Sequence, residues 1–243
     1  MKKDMGIMAL IPARGGSKRF PGKNLHPLMG RPLVAHPVEA AARSRLVGRV
    51  IISTDDDTIA SAARQAGADV PFMRPAELAQ DSSSVIDAAI YTVQELERRE
   101  NYVPEYIVLL QPTTPVIADG QIDRAVEMAR RHDADSVVAV SEVDTINHPY
   151  NIRTIADDGT IAFWQERPHY QYYAAAPRPK FYHAANMWLT RRETLVGARR
   201  LEGARNFPMI VDPVYASDID YEADLLRIEA YLEYLRARGR VLP

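Results

Sequence analysis

Apolar residues along this chain alternate between short continuous runs and longer stretches with helical spacing. A short continuous run predicts a strand buried on both faces of a sheet, and apolar residues recurring every three to four positions predict a helix. The predicted strands are Ile7–Ile11, Arg49–Ser53, Tyr106–Leu110 and Ser136–Val140. The predicted helices are Leu33–Ser44, Asp56–Ala66, Val85–Glu100 and Asp119–Arg131. Alternating strands and helices indicate an α/β fold with a doubly wound, mostly parallel sheet.

The pattern changes after residue 140, where proline, tyrosine, histidine and arginine become frequent. The tetrapeptide Asp157–Thr160, "DDGT", predicts a hairpin turn between two short strands. Sheet-like texture returns with "ANMWLT", and a last helix is predicted at Tyr221–Arg238. We therefore expect a single domain, 1–243, with an inserted excursion at about 141–183, called the arm below.

Composition narrows the class of protein. The 243 residues suit one large α/β domain or two small ones, and a net charge of −2 argues against bulk binding to nucleic acid or anionic membrane. The absence of cysteine excludes disulfides, thiol catalysis and cysteine-ligated metal. No run reaches 18 apolar residues, and the N-terminal apolar run is too short for a signal peptide. We expect a cytoplasmic protein.

The stretch "IPARGGSKRFPGKN" directly follows the first predicted strand. Glycines at a strand end let backbone N–H groups approach an anion closely, and ligands of such sheets bind beyond the carboxyl ends of the strands. The spacing matches neither the Walker motif nor GxGxxG. Four cations lie within ten residues and would repel one another without a polyanion such as a triphosphate: Arg14, Lys18, Arg19 and Lys23. A solvated basic loop is the alternative, and the position at a strand end favours phosphate binding.

Five blocks of sequence together resemble the acylneuraminate cytidylyltransferase family, which activates sialic acids and related 2-keto sugar acids with CTP. They occur in the family's order: "IPARGGSKRFPGKN", "ISTDDDTIASAARQAGADVPFMRPAELAQDSSS", "VLLQPTTP", "DADSVVAVSEV" and "SDIDYEADL". The blocks cover most of the chain outside 145–210. The resemblance implies a Rossmann-like nucleotidyltransferase fold with a mixed sheet between layers of helices. It also implies a homodimer, in which the protruding arm packs into the partner subunit.

The resemblance further implies which residues bind CTP. Arg14 and Lys23 would hold the triphosphate, while Asn24 would support the nucleotide end. Ala13 would supply backbone contacts to cytosine. Groups beside the two cations would come from Gly15, Gly16, Ser17 and Lys18. Residues farther along would read the base, the ribose and the boundary with the sugar: Arg74, Ser84 or its neighbours Ser82 and Ser83, and Gln111.

Asp218 and Asp220 match the family's metal-binding pair. Their alternation along an extended segment would point both carboxylates to one face, where hard oxygen ligands suit Mg²⁺ or Mn²⁺. Capping of the last helix is the alternative role for either residue. Asp55–Asp57 resembles a metal cluster but is more typical of a helix start. The base that accepts the sugar's proton would be Asp220 or a metal-bound hydroxide.

The sequence departs from the family on the sugar side. Family members usually carry Asn-Gly in the strand after the arm, where this chain has Ala184 and Ala185 before Asn186. The departure leaves the acceptor sugar open. Four arm residues are weaker candidates for contacts to that sugar: His148, Arg167, Arg178 and His183.

The resulting hypothesis is an enzyme that transfers CMP from CTP to the anomeric hydroxyl of a sialic acid-like 2-keto-3-deoxy sugar acid and releases pyrophosphate. One alternative keeps the chemistry with Kdo or a legionaminic or pseudaminic type of acid as acceptor. Another is a nucleotide-binding dimer without catalysis. Arg14, Lys23, Gln111, Asp218 and Asp220 are all present, which disfavours a catalytically dead protein.

Overall fold

The computed structural model of the protein describes residues 4–172 and 178–238. Its strands are β1 (Asp4–Pro12), β2 (Pro27–Leu28), β3 (Arg31–Pro32), β4 (Val47–Ser53), β5 (Tyr106–Leu110), β6 (Ser136–Glu142), β7 (Arg153–Ile155), β8 (Ile161–Phe163), β9 (Tyr182–Arg191) and β10 (Asn206–Ile210). Its helices are α1 (Ala35–Arg43), α2 (Asp57–Gln65), α3 (Val85–Glu100), α4 (Gln121–His132), α5 (Glu166–Gln171) and α6 (Glu222–Ala237).

The central sheet has six strands in the order β10-β6-β9-β5-β1-β4. β1 runs parallel to β4 and β5, and β10 runs parallel to β6. β9 lies between β5 and β6 and is antiparallel to both. The predicted α/β class and mixed, mostly parallel sheet are confirmed. The four strands and five helices predicted from the sequence are present, with ends that differ by a few residues at most.

Helices cover both faces of the sheet, which explains the continuous apolar strands. Along β1, Ile7, Ala9 and Ile11 face one buried cluster, while Met8 and Leu10 face another. The first cluster includes residues of α1, α2 and α4, and the second includes residues of α3. Burial on both faces stabilises the sheet by roughly 25 cal/mol for each Å² of apolar surface removed from water.

A third apolar cluster fastens the C-terminal helix to the loops beyond the strand ends. Leu225, Ile228 and Leu232 of α6 pack with Leu28 and with a set of loop residues that includes Phe20, Val116 and Ile219. This packing holds the segment before α6 beside the glycine turn that follows β1. No helix of the described ranges is long and apolar enough to cross a bilayer.

The arm contains the predicted hairpin, formed by β7 and β8, and a short helix that the sequence did not predict, α5. Gly159 has φ of +83°, which is the left-handed region that glycine adopts most readily in a tight turn. Rings of Tyr150, Phe163 and His169 pack inside the arm, with Phe163 and His169 stacked at 3.6 Å between ring centroids. Residues 173–177 of the predicted arm, including Tyr173, lie outside the described residues, and the arm's boundaries stay a prediction.

Candidate nucleotide-binding site

Two adjoining cavities lie where β1, β4 and β5 end. The first, called the strand-end cavity, has a volume of about 300 Å³. Its lining includes Pro12, Arg14, Ser17, Lys23, Asn24, Arg74, Leu78, Gln80, Asp81, Ser83, Ser84, Val85, Gln111, Pro112 and Thr113. The second, called the basic cavity, has a volume of about 440 Å³ and is lined by Arg14, Ser17, Lys18, Arg19, Lys23, Asp81 and Asp220. The two cavities share four residues, so one extended ligand can contact both.

Most of the residues predicted from the sequence line these cavities. Arg14, Ser17, Lys23, Asn24, Arg74, Ser84 and Gln111 line the strand-end cavity, and Lys18 and Asp220 line the basic cavity. Five predicted residues are not part of either lining: Ala13, Gly15, Gly16, Ser82 and Asp218. The structure thus brings most of the candidate residues to one surface, and the role of each toward a ligand stays a prediction.

The glycine turn is held against the neighbouring strand end. Ala13 N–H donates to the carbonyl of Ser53 at 2.9 Å, and Gly15 N–H donates to Asp55 Oδ1 at 3.1 Å. A Cβ on residue 15 would lie 2.8 Å from Asp56 Oδ2, which is closer than real Cβ contacts. Glycine at position 15 therefore allows the backbone to approach α2 closely. Ala13 is buried beneath the turn.

Lys23 and Asn24 join three segments of chain at the cavity wall. Lys23 is buried, and its Nζ donates to the carbonyl of Ile219 at 2.7 Å and lies 3.6 Å from Asp220 Oδ1. Asn24 Nδ2 donates to the carbonyl of Arg14 at 2.8 Å. Ile219 N–H in turn donates to the carbonyl of Thr113 at 2.8 Å. The glycine turn, the loop after β5 and the segment before α6 are consequently fixed relative to one another.

The basic cluster contains its own counter-charges. Arg14 Nη2 lies 2.9 Å from Asp81 Oδ1, and Lys18 pairs with the other oxygen of the same carboxylate. Arg19 pairs with Asp220. The expectation that these cations repel one another without a polyanion is therefore wrong as stated, because two carboxylates already stand among them. The four cations and two carboxylates leave a formal charge of +2 around the basic cavity.

Arg74 is the most buried cation of the strand-end cavity. Its backbone N–H donates to the carbonyl of Thr54 at 2.7 Å, and its Nη2 lies 3.5 Å from Asp55 Oδ1. Burial lowers the pKa of the Arg74 guanidinium, and the nearby Asp55 carboxylate opposes that shift. Its Nε is buried and has no hydrogen-bond partner within the described chain. A buried donor without a partner is costly, so this atom favours a ligand that brings an acceptor.

Serine side chains near the cavity have roles in the local fold. Ser84 Oγ accepts a hydrogen bond from Ile86 N–H at 3.1 Å and caps α3. Ser83 Oγ donates to the carbonyl of Glu77 at 2.9 Å and accepts from Gln80 N–H at 3.0 Å. Capping does not exclude a ligand contact, because a hydroxyl oxygen has two lone pairs.

The structure decides which aspartates cap helices. Asp224 Oδ2 accepts from the N–H groups of Asp220 and Tyr221 at 3.0 and 2.9 Å, so Asp224 serves the start of α6. The alternative that Asp218 or Asp220 caps this helix is wrong. Asp56 caps α2 by accepting from Thr58 and Ile59, which confirms the helix-start interpretation of Asp55–Asp57.

The weaker sugar-side candidates do not line the two cavities. Arg178 Nε donates to the carbonyl of Tyr172 at 3.2 Å, and buried His148 packs against the ring of Tyr150, so both build the arm. Arg167 and His183 are exposed. Asn186, which follows the departure at Ala184 and Ala185, is fully buried and donates to the carbonyl of Val116 at 2.7 Å.

Two aspartates of the site were missed by sequence reasoning. Asp81 lines both cavities, and Asp55 connects the glycine turn to Arg74. Both lie in the blocks that resemble the family, where the sequence predicts a ligand role for the serines of "QDSSS" and a helix start or a metal cluster for Asp55–Asp57. Asp81 pairs with Arg14, 67 positions away, and Asp55 accepts from Gly15, 40 positions away, so both contacts reach the turn after β1. The unbalanced positive charge of that turn was the one sequence signal that pointed to missing carboxylates.

The model of the Cytidylyltransferase family matches residues 8–236. CMP-N,N'-diacetyllegionaminic acid synthase of Legionella pneumophila is 40% identical over 157 residues, 65% of this chain and 66% of the relative. N-acylneuraminate cytidylyltransferase of Streptococcus agalactiae is 27% identical over 230 residues, 94% of this chain and 54% of the relative. This chain thus spans about half the length of the Streptococcus relative.

A solved structure shares the fold. CMP:2-keto-3-deoxy-manno-octonic acid synthetase complexed with CTP superposes with a TM-score of 0.68 at 19% sequence identity. The match covers 94% of this chain and 98% of that one. At such low identity the likeness establishes the architecture alone.

Proposed function

Because this chain belongs to the cytidylyltransferase family, we propose that it transfers CMP from CTP to the anomeric hydroxyl of a sialic acid-like 2-keto-3-deoxy sugar acid and releases pyrophosphate. One observation carries the proposal. The cations Arg14 and Lys23 stand between the strand-end cavity and the basic cavity, and so contact both. A nucleoside triphosphate has the matching form, with a base and ribose at one end and negative charge at the other.

The charges of the site suit the reaction. Attack on the α-phosphorus builds negative charge on the departing pyrophosphate, so catalysis depends mainly on positioning and on charge neutralisation. Lys23 is buried and fixed by its bond to the carbonyl of Ile219, which makes it a pre-organised cation. Arg14 would bind phosphate oxygens through its planar guanidinium. The Gly15–Gly16 backbone would add N–H donors near them.

Arg74 is proposed to read the base and ribose. It lines the strand-end cavity, and its Nε, which has no hydrogen-bond partner among the described residues, can donate to an acceptor on a ligand. Cytosine offers acceptors at its carbonyl and ring nitrogen, which suits a guanidinium. Gln111, Ser84 and Asn24 line the same cavity and would complete the contacts to the nucleotide and the sugar boundary.

Asp218 and Asp220 are proposed to hold Mg²⁺ or Mn²⁺. Ile219 between them is fully buried and tied at both its N–H and its carbonyl, so its neighbours are held at the protein surface. Within residues 4–172 and 178–238, no group of three or more His, Asp or Glu side chains could hold a metal alone. Mg²⁺ commonly takes one or two carboxylates and completes its shell with substrate phosphates and water, which this donor set fits. When bound, the ion would neutralise phosphate charge.

Proton removal from the sugar hydroxyl needs a base near the basic cavity. Asp220 is the proposed group of this chain, because its carboxylate lines that cavity. Its pairing with Arg19 orients the carboxylate. A carboxylate within hydrogen-bond reach of a reacting hydroxyl can act as a general base.

The acceptor is proposed to be a nonulosonic acid. The Legionella relative, whose name specifies N,N'-diacetyllegionaminic acid, makes that sugar the first to test, ahead of sialic acid. A homodimer formed through the arm and a cytoplasmic location remain proposals as well. The exposed apolar residues of the arm support the dimer.

The test is a pyrophosphate-release assay that crosses CTP, UTP, ATP and GTP with a panel of 2-keto-3-deoxy sugar acids. We expect release with CTP and at least one nonulosonic acid, and little with the other nucleotides. Equal turnover with UTP and the same sugar would contradict the proposed reading of the base. Absence of release with every pair would favour the non-catalytic alternative.

A further inference from the structure

Asp81 occupies the place where the proposed function puts phosphate oxygens. Its Oδ1 lies 2.9 Å from Arg14 Nη2, and its Oδ2 contacts Lys18 Nζ. A carboxylate with two cations on its two oxygens resembles a phosphate bound by the same cations. These cations hold the pKa of Asp81 below its usual range, with Lys18 the larger influence, so the carboxylate keeps its charge.

The loop that carries Asp81 is positioned by its backbone. Arg14 Nη1 donates to the carbonyl of Gln80 at 2.8 Å, so Arg14 contacts the loop both at this carbonyl and at the Asp81 carboxylate. Ser83 N–H donates to the same carbonyl at 3.0 Å, and Ser83 Oγ fastens the loop to Glu77. Asp81 therefore sits at the tip of an internally bonded turn rather than in a packed core.

The ion pairs of Asp81 are weak enough to exchange. The side chains of Asp81, Arg14 and Lys18 are 42%, 34% and 82% exposed, respectively. Exposed ion pairs contribute little to stability, since water and salt screen them. A triphosphate brings several charges to the same cations and offers each of them a stronger acceptor. The weaker carboxylate should then leave.

We propose that Asp81 is a displaceable counter-ion of the phosphate-binding cations, which exchanges with the phosphates of CTP at Arg14 and Lys18 and returns as pyrophosphate leaves. The proposal rests on the proposed function of this site and deepens it. Competition from Asp81 lowers the affinity for phosphate compounds and eases release of the product. Asp81 thereby sets how much negative charge a ligand needs in order to bind.

The test is equilibrium binding of CTP and of inorganic pyrophosphate, measured by calorimetry at one fixed Mg²⁺ concentration. Asp81→Asn keeps the size of the side chain and removes its charge, so both ligands should bind about tenfold more tightly, as expected for loss of two exposed ion pairs. Asp81→Glu restores the charge and should bind with nearly wild-type affinity. In turnover, Asp81→Asn should show a lower KM for CTP and stronger inhibition by pyrophosphate.

The matched control is Asp87→Asn. Asp87 is also 42% exposed, pairs with Arg199 and lines neither cavity, so the substitution removes the same charge without removing a partner of Arg14 or Lys18. Unchanged or weaker pyrophosphate binding in Asp81→Asn would overturn the counter-ion role while leaving the proposed function standing. An equal gain in ligand affinity in both variants would show a general charge effect and would also overturn the counter-ion role. Wild-type protein that binds neither ligand would overturn both proposals.

Discussion

The cavity region and the arm use charged and apolar side chains in opposite ways. Around the cavities, charged residues are held by one another and by backbone groups, and Lys23 and Arg74 are buried. In the arm, large apolar side chains are exposed, with Ile155 at 73%, Ile161 at 63% and Trp164 at 57%. The interior of the arm is instead filled by rings such as Phe163 and His169.

This contrast separates residues arranged for a ligand from residues arranged for a surface. Buried charges are costly unless they are paired or useful, so their concentration at strand ends indicates a binding site. Exposed apolar groups on a hairpin are compatible with the proposed dimer, in which the arm would form the interface. The following changes test each half of the comparison.

The largest effect is expected at the cavity, for Asp220→Asn. The change removes a carboxylate charge from the basic cavity and a proposed metal ligand, so turnover should fall roughly 10²-fold or more. The hydrogen bond from the backbone N–H of residue 220 to Asp224 is retained, so the melting temperature should change little. Pyrophosphate release measured against Mg²⁺ concentration checks the prediction. Near-normal activity would remove Asp220 from the proposed metal site and from catalysis.

A smaller effect is expected in the arm, for Ile155→Asp. The exposed Ile155 pairs across the hairpin with Ile161, so a charge there leaves the fold intact but opposes burial in an interface. The dissociation constant of the dimer should rise at least tenfold, as measured by light scattering over a dilution series. Val103→Asp is the control, since Val103 is 58% exposed and outside the arm. A wild-type protein that is monomeric at micromolar concentration would defeat the dimer proposal.

The smallest effect is expected outside the cavities and the arm, at the start of α6, for Asp224→Ala. Loss of the acceptor for Asp220 and Tyr221 N–H should lower the free energy of unfolding by about 1 kcal/mol, the usual cost of a lost helix cap. Chemical denaturation measures it. Glu222→Ala, in the same first turn, is the control, since Asp224 supplies these two bonds. Equal loss of stability in both variants would mean that Asp224 has no special role at this helix start.

The body of the fold was predictable because its strands are buried on both faces. Runs such as Tyr106–Leu110 remain apolar throughout, and their parallel arrangement follows from the intervening helices. The position of β9 between β5 and β6 was not predictable. No local pattern specifies that a strand after a long insertion returns antiparallel into the middle of the sheet. The helix α5 was missed for a related reason, since its six residues hold too few apolar positions to show a period.

The site was predictable where the chemistry is local and not where it depends on distant partners. The basic residues after β1 lie within one short stretch of sequence, so they could be recognised without the structure. Asp81 pairs with Arg14 across 67 positions of chain, and Asp55 accepts a hydrogen bond from Gly15 across 40. Such pairs form only because parallel strands bring their carboxyl ends to one edge of the sheet. Excluding helix capping by Asp220 likewise needed the position of Asp224.

Mass spectrometry of the reaction products tests the proposed transfer of CMP to a sugar acid most directly. With CTP, Mg²⁺ and N,N'-diacetyllegionaminic acid or another nonulosonic acid, we expect one CMP-sugar for each pyrophosphate released. Pyrophosphate accompanied only by free CMP, for every acid of the panel, would show hydrolysis without transfer and contradict the account.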